Sequence, residues 1–261
     1  YSLRYGTFSE KELLEMGQKY ELNSLVLADI NNTSGCLNFI RLSSDYGIKP
    51  IVGIDFRNGN EPCFVGIAKN NAGFKELNDY LSYFLHQKKK IPARAPAFEN
   101  VFVIYPFRVS GEIEISSLKP DEFIGIAAHE IPQLRMSRLL MHQKKLVILQ
   151  TVTFRTKRDF NAHRLLRAID NNTLLSKLPK SEEAHPEEKM TTEEELINRF
   201  EGFPMLIKNT RFVLDNSSIH FDFSENRIPQ NQSIYTKSKE EDIALLRKLT
   251  EDGLPYRYGN E

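Results

Sequence analysis

The chain contains no tryptophan and only two cysteines among its 261 residues, and 35 basic residues are balanced by 35 acidic ones. Each shortage narrows the field. Cys36 and Cys63 have no Cys-x-x-Cys partner and no nearby histidine cluster, so neither a disulfide scaffold nor a structural zinc site is expected. They read as buried small apolar residues. A formal net charge of zero gives no overall pull toward nucleic acid or an anionic membrane, so any DNA contact must be local. No run approaches the roughly 18 apolar residues of a membrane span, and Tyr1-Ser2-Leu3-Arg4 lacks the basic flank and apolar core of a signal peptide. A soluble, cytoplasmic protein with no membrane partner is expected. Gly-x-Gly-x-x-Gly, a phosphate-loop Gly-Lys-Ser/Thr and Gly-x-Ser-x-Gly are all missing, which leaves nucleotide-cofactor and serine-hydrolase readings without an anchor.

What is present falls into two regimes. Ser9 followed by Glu12 reads as a capping box, with Leu13, Met16 or Gly17 and Tyr20 recurring at helical spacing. Strands are expected at 24–28, 50–56, 63–68, 101–105, 123–127 and 145–150. Between them lie a helical stretch closed by Gly47, a helix with Phe74, Leu77, Leu81 and Phe84 on one face, and helices around 130–142 and 158–169. Short apolar strands alternating with amphipathic helices imply an α/β fold with a largely parallel sheet, either a barrel or an open doubly wound layer. The second regime begins near Asn171. Residues 177–195 are charged, contain proline and have few apolar side chains, as an exposed connector would. Helical segments near 192–200, 204–216 and 239–252 follow, interrupted by the strand-like "SIHFDF" (218–223).

Chemistry in such a sheet gathers at the carboxyl ends of strands. There the sequence delivers Asp29, Asp55, Tyr105 and Phe107, His129, and Gln150 with Thr151 and Thr153. Two carboxylates and one histidine form a thin set for a dinuclear centre. His86 and His142 lie near helix ends and His163 lies inside a helix, where a hydrogen-bonded structural role is expected. "HQKKKIPARAP" (86–96) reads as a surface loop, and with its short basic run as the one cationic cluster the chain is expected to bind DNA only weakly, with a shallow salt dependence.

The stretch from "YSLRYG" (1–6) through "LADINN" (27–32) to "GIKPIVGID" (47–55) resembles the start of the polymerase-and-histidinol-phosphatase (PHP) domain of bacterial DNA polymerase III alpha subunits. That family reads Tyr-Ser-x-Leu-Asp-Gly, then Leu-Thr-Asp-His-x-Asn, then Gly-Ile-Lys-Pro-Ile-x-Gly-x-Glu. The likeness continues through 67–82, 158–176, 201–223 and 245–259. It implies an irregular seven-stranded β/α barrel over 1–176, whose first strand, with a His-x-His motif, would lie upstream of Tyr1. A charged connector over 177–200 and a mostly helical extension over 201–261 toward the polymerase thumb and palm would follow. It also implies an ancestral metal site that this sequence has largely lost. Asp29 is kept but Ile30 replaces a histidine, Asp55 stands for a glutamate, Thr151 and Thr153 replace an aspartate and a histidine, and Phe107 falls at a cysteine ligand. Hydroxyls and an isoleucine lack the charge and donor strength to hold divalent cations. No catalytic residue and no bound metal are therefore expected in the fragment.

Three functions follow from different classes. The first is the amino-terminal PHP region of a DNA polymerase III alpha-type replicative polymerase, serving as a scaffold and docking surface. Its partners would be the remainder of the polymerase chain, a proofreading or other replisome subunit, and DNA through the parent enzyme, a magnesium-dependent nucleotidyltransferase. The second is an active metal-dependent phosphoesterase or 3'-5' proofreading exonuclease. The third is a binding module unconnected to replication. The palm carboxylates that two-metal polymerisation needs are not found here, since no Asp-x-Asp occurs.

Overall fold

The computed structural model describes residues 2, 4–223 and 234–259. Contacts divide it into two compact units, Tyr1–Phe221 and Asp222–Glu261. The stretch 224–233, inside the expected helical extension, lies outside the described residues.

In the first unit the chain runs α1 (Glu10–Lys19), β1 (Ser24–Ile30), α2 (Cys36–Ser43), β2 (Lys49–Asn58), β3 (Glu61–Ala68), α3 (Asn71–Gln87), β4 (Val101–Pro106), β5 (Glu122–Ile126), α4 (Ile131–Arg135), β6 (Leu146–Ile148), α5 (Lys157–Asp170), α6 (Glu193–Arg199) and α7 (Pro204–Asp215). The Ser9 capping box starts α1 as expected, with each partner satisfying the other's backbone N–H. Asn70, Thr156 and Thr192 cap α3, α5 and α6 through their side chains.

Six strands form one sheet in sequence order, β1-β2-β3-β4-β5-β6. The pairs β1·β2, β4·β5 and β5·β6 are parallel, and β3 is antiparallel to both neighbours. The sheet is thus mixed, where the sequence suggested a largely parallel one. The cause is the tight turn at Asn58-Gly59-Asn60, in which Gly59 takes φ 64° and folds β3 straight back along β2. Gly53 lets these two strands press together, because a Cβ there would sit 2.3 Å from the Gly66 carbonyl oxygen. Asn58 extends the pairing outward. Its amide donates to the Ile91 carbonyl at 2.8 Å while its Oδ1 accepts from Ile91 N–H at 2.9 Å, which ties down the loop of the basic run.

Both faces of the sheet are buried, by different partners. One face carries Val52, Ile54, Phe56, Phe64, Val103, Tyr105 and Ile124 against the helices. The other carries Ile51, Val65, Ile67, Phe102, Ile104, Phe123 and Val147 and closes on Val213 of α7. Residues of β1 and β6, at opposite edges, line the same cavity of about 560 Å³, so the sheet is curled into a half-barrel. This is consistent with a PHP-type β/α barrel; six strands, not seven, lie among the described residues.

Helix α7 covers the β6 edge. Thr210 Oγ1 accepts from Ile148 N–H at 2.8 Å, and the Asn209 amide donates to the Leu146 carbonyl at 2.8 Å. At the other end, Lys49 Nζ donates to the Leu214 carbonyl of the last turn. The 177–200 stretch is not a free connector, and the compact unit does not end at residue 176. Ala184 is buried, Asn60 donates to the Ser181 carbonyl, and Arg167 and Arg164 hold Glu182 and Glu183. Several of its charges are engaged in ion pairs, which composition does not reveal. "SIHFDF" forms no strand. The second unit contains α8 (Lys239–Tyr258), capped by Ser238, with Asp242 of its first turn accepting from Tyr235 and Thr236 N–H.

Candidate functional site

The carboxyl ends of β1, β2 and β6 meet beneath the segment 180–190. Strand pleating decides which side chains converge, because alternate residues point to opposite faces. Ile30 pairs with Asp55 across β1·β2, so these two share the concave face with Ile51. Asp29 pairs with Ile54 and shares the opposite, helix-covered face with Leu27. Its Oδ1 accepts from Ser2 Oγ at 3.0 Å, and a Cβ on Gly35 at the start of α2 would lie 3.5 Å from its Oδ2. Asp29, Ile30, Asp55, Thr151 and Thr153 all line the same cavity, but the pleat turns the Asp29 side chain to the face opposite that of Ile30 and Asp55.

Asp55 has a cationic partner of its own. Arg57, two residues on and hence on the same face, donates from Nε at 2.9 Å and from a terminal nitrogen at 2.5 Å to Asp55 Oδ2. Both side chains are buried, at 10% and 12% exposure, and Asp55 Oδ1 has no hydrogen-bond partner among the described residues. Burial alone would lower the Arg57 pKa; the charge and hydrogen bonds of Asp55 more than reverse this, and the net shift is upward. The guanidinium also stands 4.9 Å from the centre of the Tyr5 ring. Burial and then the charge of Glu188 raise the Tyr5 pKa, with Arg57 opposing.

The remaining walls are apolar or self-satisfied. Ile30 packs with Tyr5, Phe154, Phe160 and Ala184. Thr153 donates its hydroxyl to Glu188 and its N–H to the Glu188 carbonyl at 2.9 Å, and its own carbonyl accepts from Thr7 Oγ1. Phe107 packs against the helix-side core and not in this cluster. His129, beyond β5, stacks on His185 with ring centres 3.6 Å apart. Among the described residues, no three His, Cys, Asp or Glu side chains are grouped as a metal ion requires. Asp55, the carboxylate that β2 brings to the concave face, is bound by a guanidinium.

His163 is structural, as its helical position suggested. Its Nε2 accepts from Ala184 N–H at 2.9 Å, so the proton resides on Nδ1, which donates to the Tyr5 carbonyl at 2.8 Å. Burial lowers its pKa, with Arg167 adding and Tyr5, Glu188 and Glu183 opposing. The folded state thus holds a neutral imidazole, whereas the unfolded chain takes up a proton near pH 6.5. Stability is present above that value, is lost as pH falls through it, and levels off below the folded pKa. His129, lowered by burial and by His185, has the same sign. Urea unfolding at pH 7.5, 6.5 and 5.5 is expected to show this decline, and His163→Gln to flatten it while lowering stability at pH 7.5. An unchanged slope in His163→Gln would remove the assignment.

Tyr5, Arg57 and Glu188 are the site residues that motif reasoning missed. Arg57 was detectable: an Asp-x-Arg step at a strand end places both charges on one face. Tyr5 stands at the fifth residue of "YSLRYG", where the motif has aspartate. Glu188 lies in a charged run whose docking depends on tertiary contacts.

The family model described as "PHP domain" matches residues 1–119. Across almost its whole length it is similar to DNA polymerase III alpha subunits. That of Neisseria meningitidis serogroup A is 23% identical over 98% of this chain and 26% of its own length. That of Halalkalibacterium halodurans is 21% identical over 95% of this chain and 24% of its own. An error-prone DNA polymerase of Symbiobacterium thermophilum is 23% identical over 99% of this chain and 28% of its own. The chain thus spans about a quarter of the length of these relatives. Among the described residues no helix is long and apolar enough to cross a membrane.

Proposed function

We propose that this chain is the amino-terminal PHP region of a DNA polymerase III alpha-type replicative polymerase and acts there as a metal-independent scaffold. The observation that carries this reading is the buried Arg57–Asp55 pair at the strand ends, where a guanidinium supplies the positive charge beside the carboxylate. The ring of Tyr5 and the side chain of Ile30 fill the adjoining space. In this reading the remainder of the polymerase chain is the main partner, other replisome subunits dock on the region, and DNA and magnesium are engaged by the parent enzyme in the cytoplasm. A seventh strand supplied by sequence ahead of Tyr1 belongs to the same proposal. Lys49 N–H bonds to Asn23 and Asn31 N–H to Asp55, so odd-numbered residues of β1 face β2. Ser24, Val26 and Ala28 consequently turn their backbone groups toward the cavity, along which an added strand would run.

The test is metal binding. A ligand that binds only the folded state raises its melting temperature by mass action. Manganese and zinc at millimolar concentration, or a chelator, are expected to leave the transition unchanged, and nuclease assays with either metal to give no 3'-5' degradation. A stoichiometric transition-metal ion recovered with the purified protein, accompanied by metal-dependent hydrolysis, would replace this reading by the phosphoesterase one.

A further inference from the structure

From Ile131 to Arg158 the chain runs 28 residues without a single Asp or Glu, although 35 acidic residues are spread over the rest. The same stretch contains seven Lys or Arg. Some of these are engaged: Arg155 pairs with Glu12 and Asp159, and Lys145 donates to the carbonyls of Lys119 and Pro120. Arg135, Arg138 and Lys144 are exposed and have no carboxylate within ion-pair distance among the described residues. Between them stand the two most exposed methionines, Met136 at 92% and Met141 at 85%. Arg138 and Met141 are three apart in a 3-10 turn, where i and i+3 side chains eclipse, so a cation and a thioether form one ridge.

The backbone beneath is anchored. Leu134 and Leu139 are buried, Asn209 of α7 donates to the Gln143 carbonyl, and Arg135 lies 5.9 Å over the Phe203 ring. Exposed methionines on a fixed backbone offer flexible apolar contact without a preformed pocket. Cations left without carboxylates, in a chain that is neutral overall, favour an acidic ligand. Phosphate recognition would account for the cations but leave the two methionines without a role.

We infer that the 135–144 surface is a docking site for an acidic protein segment with apolar anchors, whose carboxylates meet Arg135, Arg138 and Lys144 while Leu or Phe side chains cover Met136 and Met141. The inference deepens the docking part of the function proposed above and rests on it. Its failure is separable, because the metal-free site is tested by metal titration and not by peptide binding.

The experiment uses the 261-residue chain with carbon-13 methionine methyl groups, Met136→Leu and Met141→Leu assigning two of the five signals. The probe is a synthetic helical peptide bearing Glu and Asp beside Leu and Phe at i, i+3 and i+4 spacing. It is expected to shift both methyl signals saturably. The combined Arg135→Glu, Arg138→Glu and Lys144→Glu variant is expected to bind about tenfold or more weakly, each 1.4 kcal/mol being tenfold, while unfolding at the parent temperature. A peptide with Gln and Asn replacing the acids, and oligo-glutamate without apolar residues, should both bind more weakly than the probe. No saturable shift, binding indifferent to the charge reversals, or tighter binding of a DNA oligonucleotide at the same methyl groups would each overturn the inference.

Discussion

Replacing Arg57 by methionine is expected to lower the unfolding free energy by about 3–5 kcal/mol, the cost of leaving one partner of a buried ion pair uncompensated. The substitution keeps most of the apolar stem and removes the guanidinium from Asp55 Oδ2. Among the described residues Asp55 Oδ1 already lacks a hydrogen-bond partner, so the carboxylate would keep no strong donor from them in a site only 12% exposed. The double variant Asp55→Asn with Arg57→Met is expected to be more stable than Arg57→Met alone, because no buried charge remains. Urea denaturation of these two variants, of Asp55→Asn alone and of the parent closes the cycle. A loss in Arg57→Met below about 1 kcal/mol would place the pair with ordinary surface bridges and remove its structural role.

The second large effect concerns where the folded unit ends. A chain truncated after Ser176, at the boundary that composition suggests, is expected to show no cooperative unfolding, whereas one truncated after Phe221 should keep it. Truncation at 176 removes Phe200, Phe203, Leu206, Val213 and Ile219, all buried. At roughly 1.5–3 kcal/mol for each large apolar side chain, their loss rivals a domain's whole stability of about 5–15 kcal/mol. It also strips Asn209 and Thr210 from the β6 edge and Glu188 from Thr153. Circular dichroism melts of both truncations decide the matter; a sharp transition in the shorter one would show that the sheet holds together without α7.

These boundaries illustrate what the sequence makes legible. Strands such as 101–105 and the α3 face of Leu77 and Leu81 are buried as their patterns demand, because apolar periodicity reports burial directly. The reversed direction of β3 was written in Asn58-Gly59, a hairpin signal between two apolar runs. The 130–142 helix is shorter than its pattern, giving way to 3-10 turns over Arg138–Lys145 with a kink at His142. At the strand ends, motif comparison grouped Asp29 with Ile30, Asp55, Thr151 and Thr153. Pleat parity separates it from them, and parity can be counted once the pairing register is known. The clamp over 180–190 depends on contacts between residues far apart in the chain, such as Thr153 with Glu188, which no local pattern encodes.

The turn that reverses β3 also bears on how the protein ages. An asparagine followed by glycine is the dipeptide most prone to spontaneous deamidation, since the following backbone nitrogen easily attacks the side-chain amide. In Asn58 that amide is held at both ends by Ile91, and its nitrogen also lies 3.3 Å from Cys63 Sγ, so the side chain is kept from swinging back onto Gly59. Conversion to aspartate would set a carboxylate oxygen against the Ile91 carbonyl and release the loop. The folded state therefore protects its own hairpin chemically, and storage under conditions that loosen the 86–96 loop is where acidic variants of this chain would first accumulate.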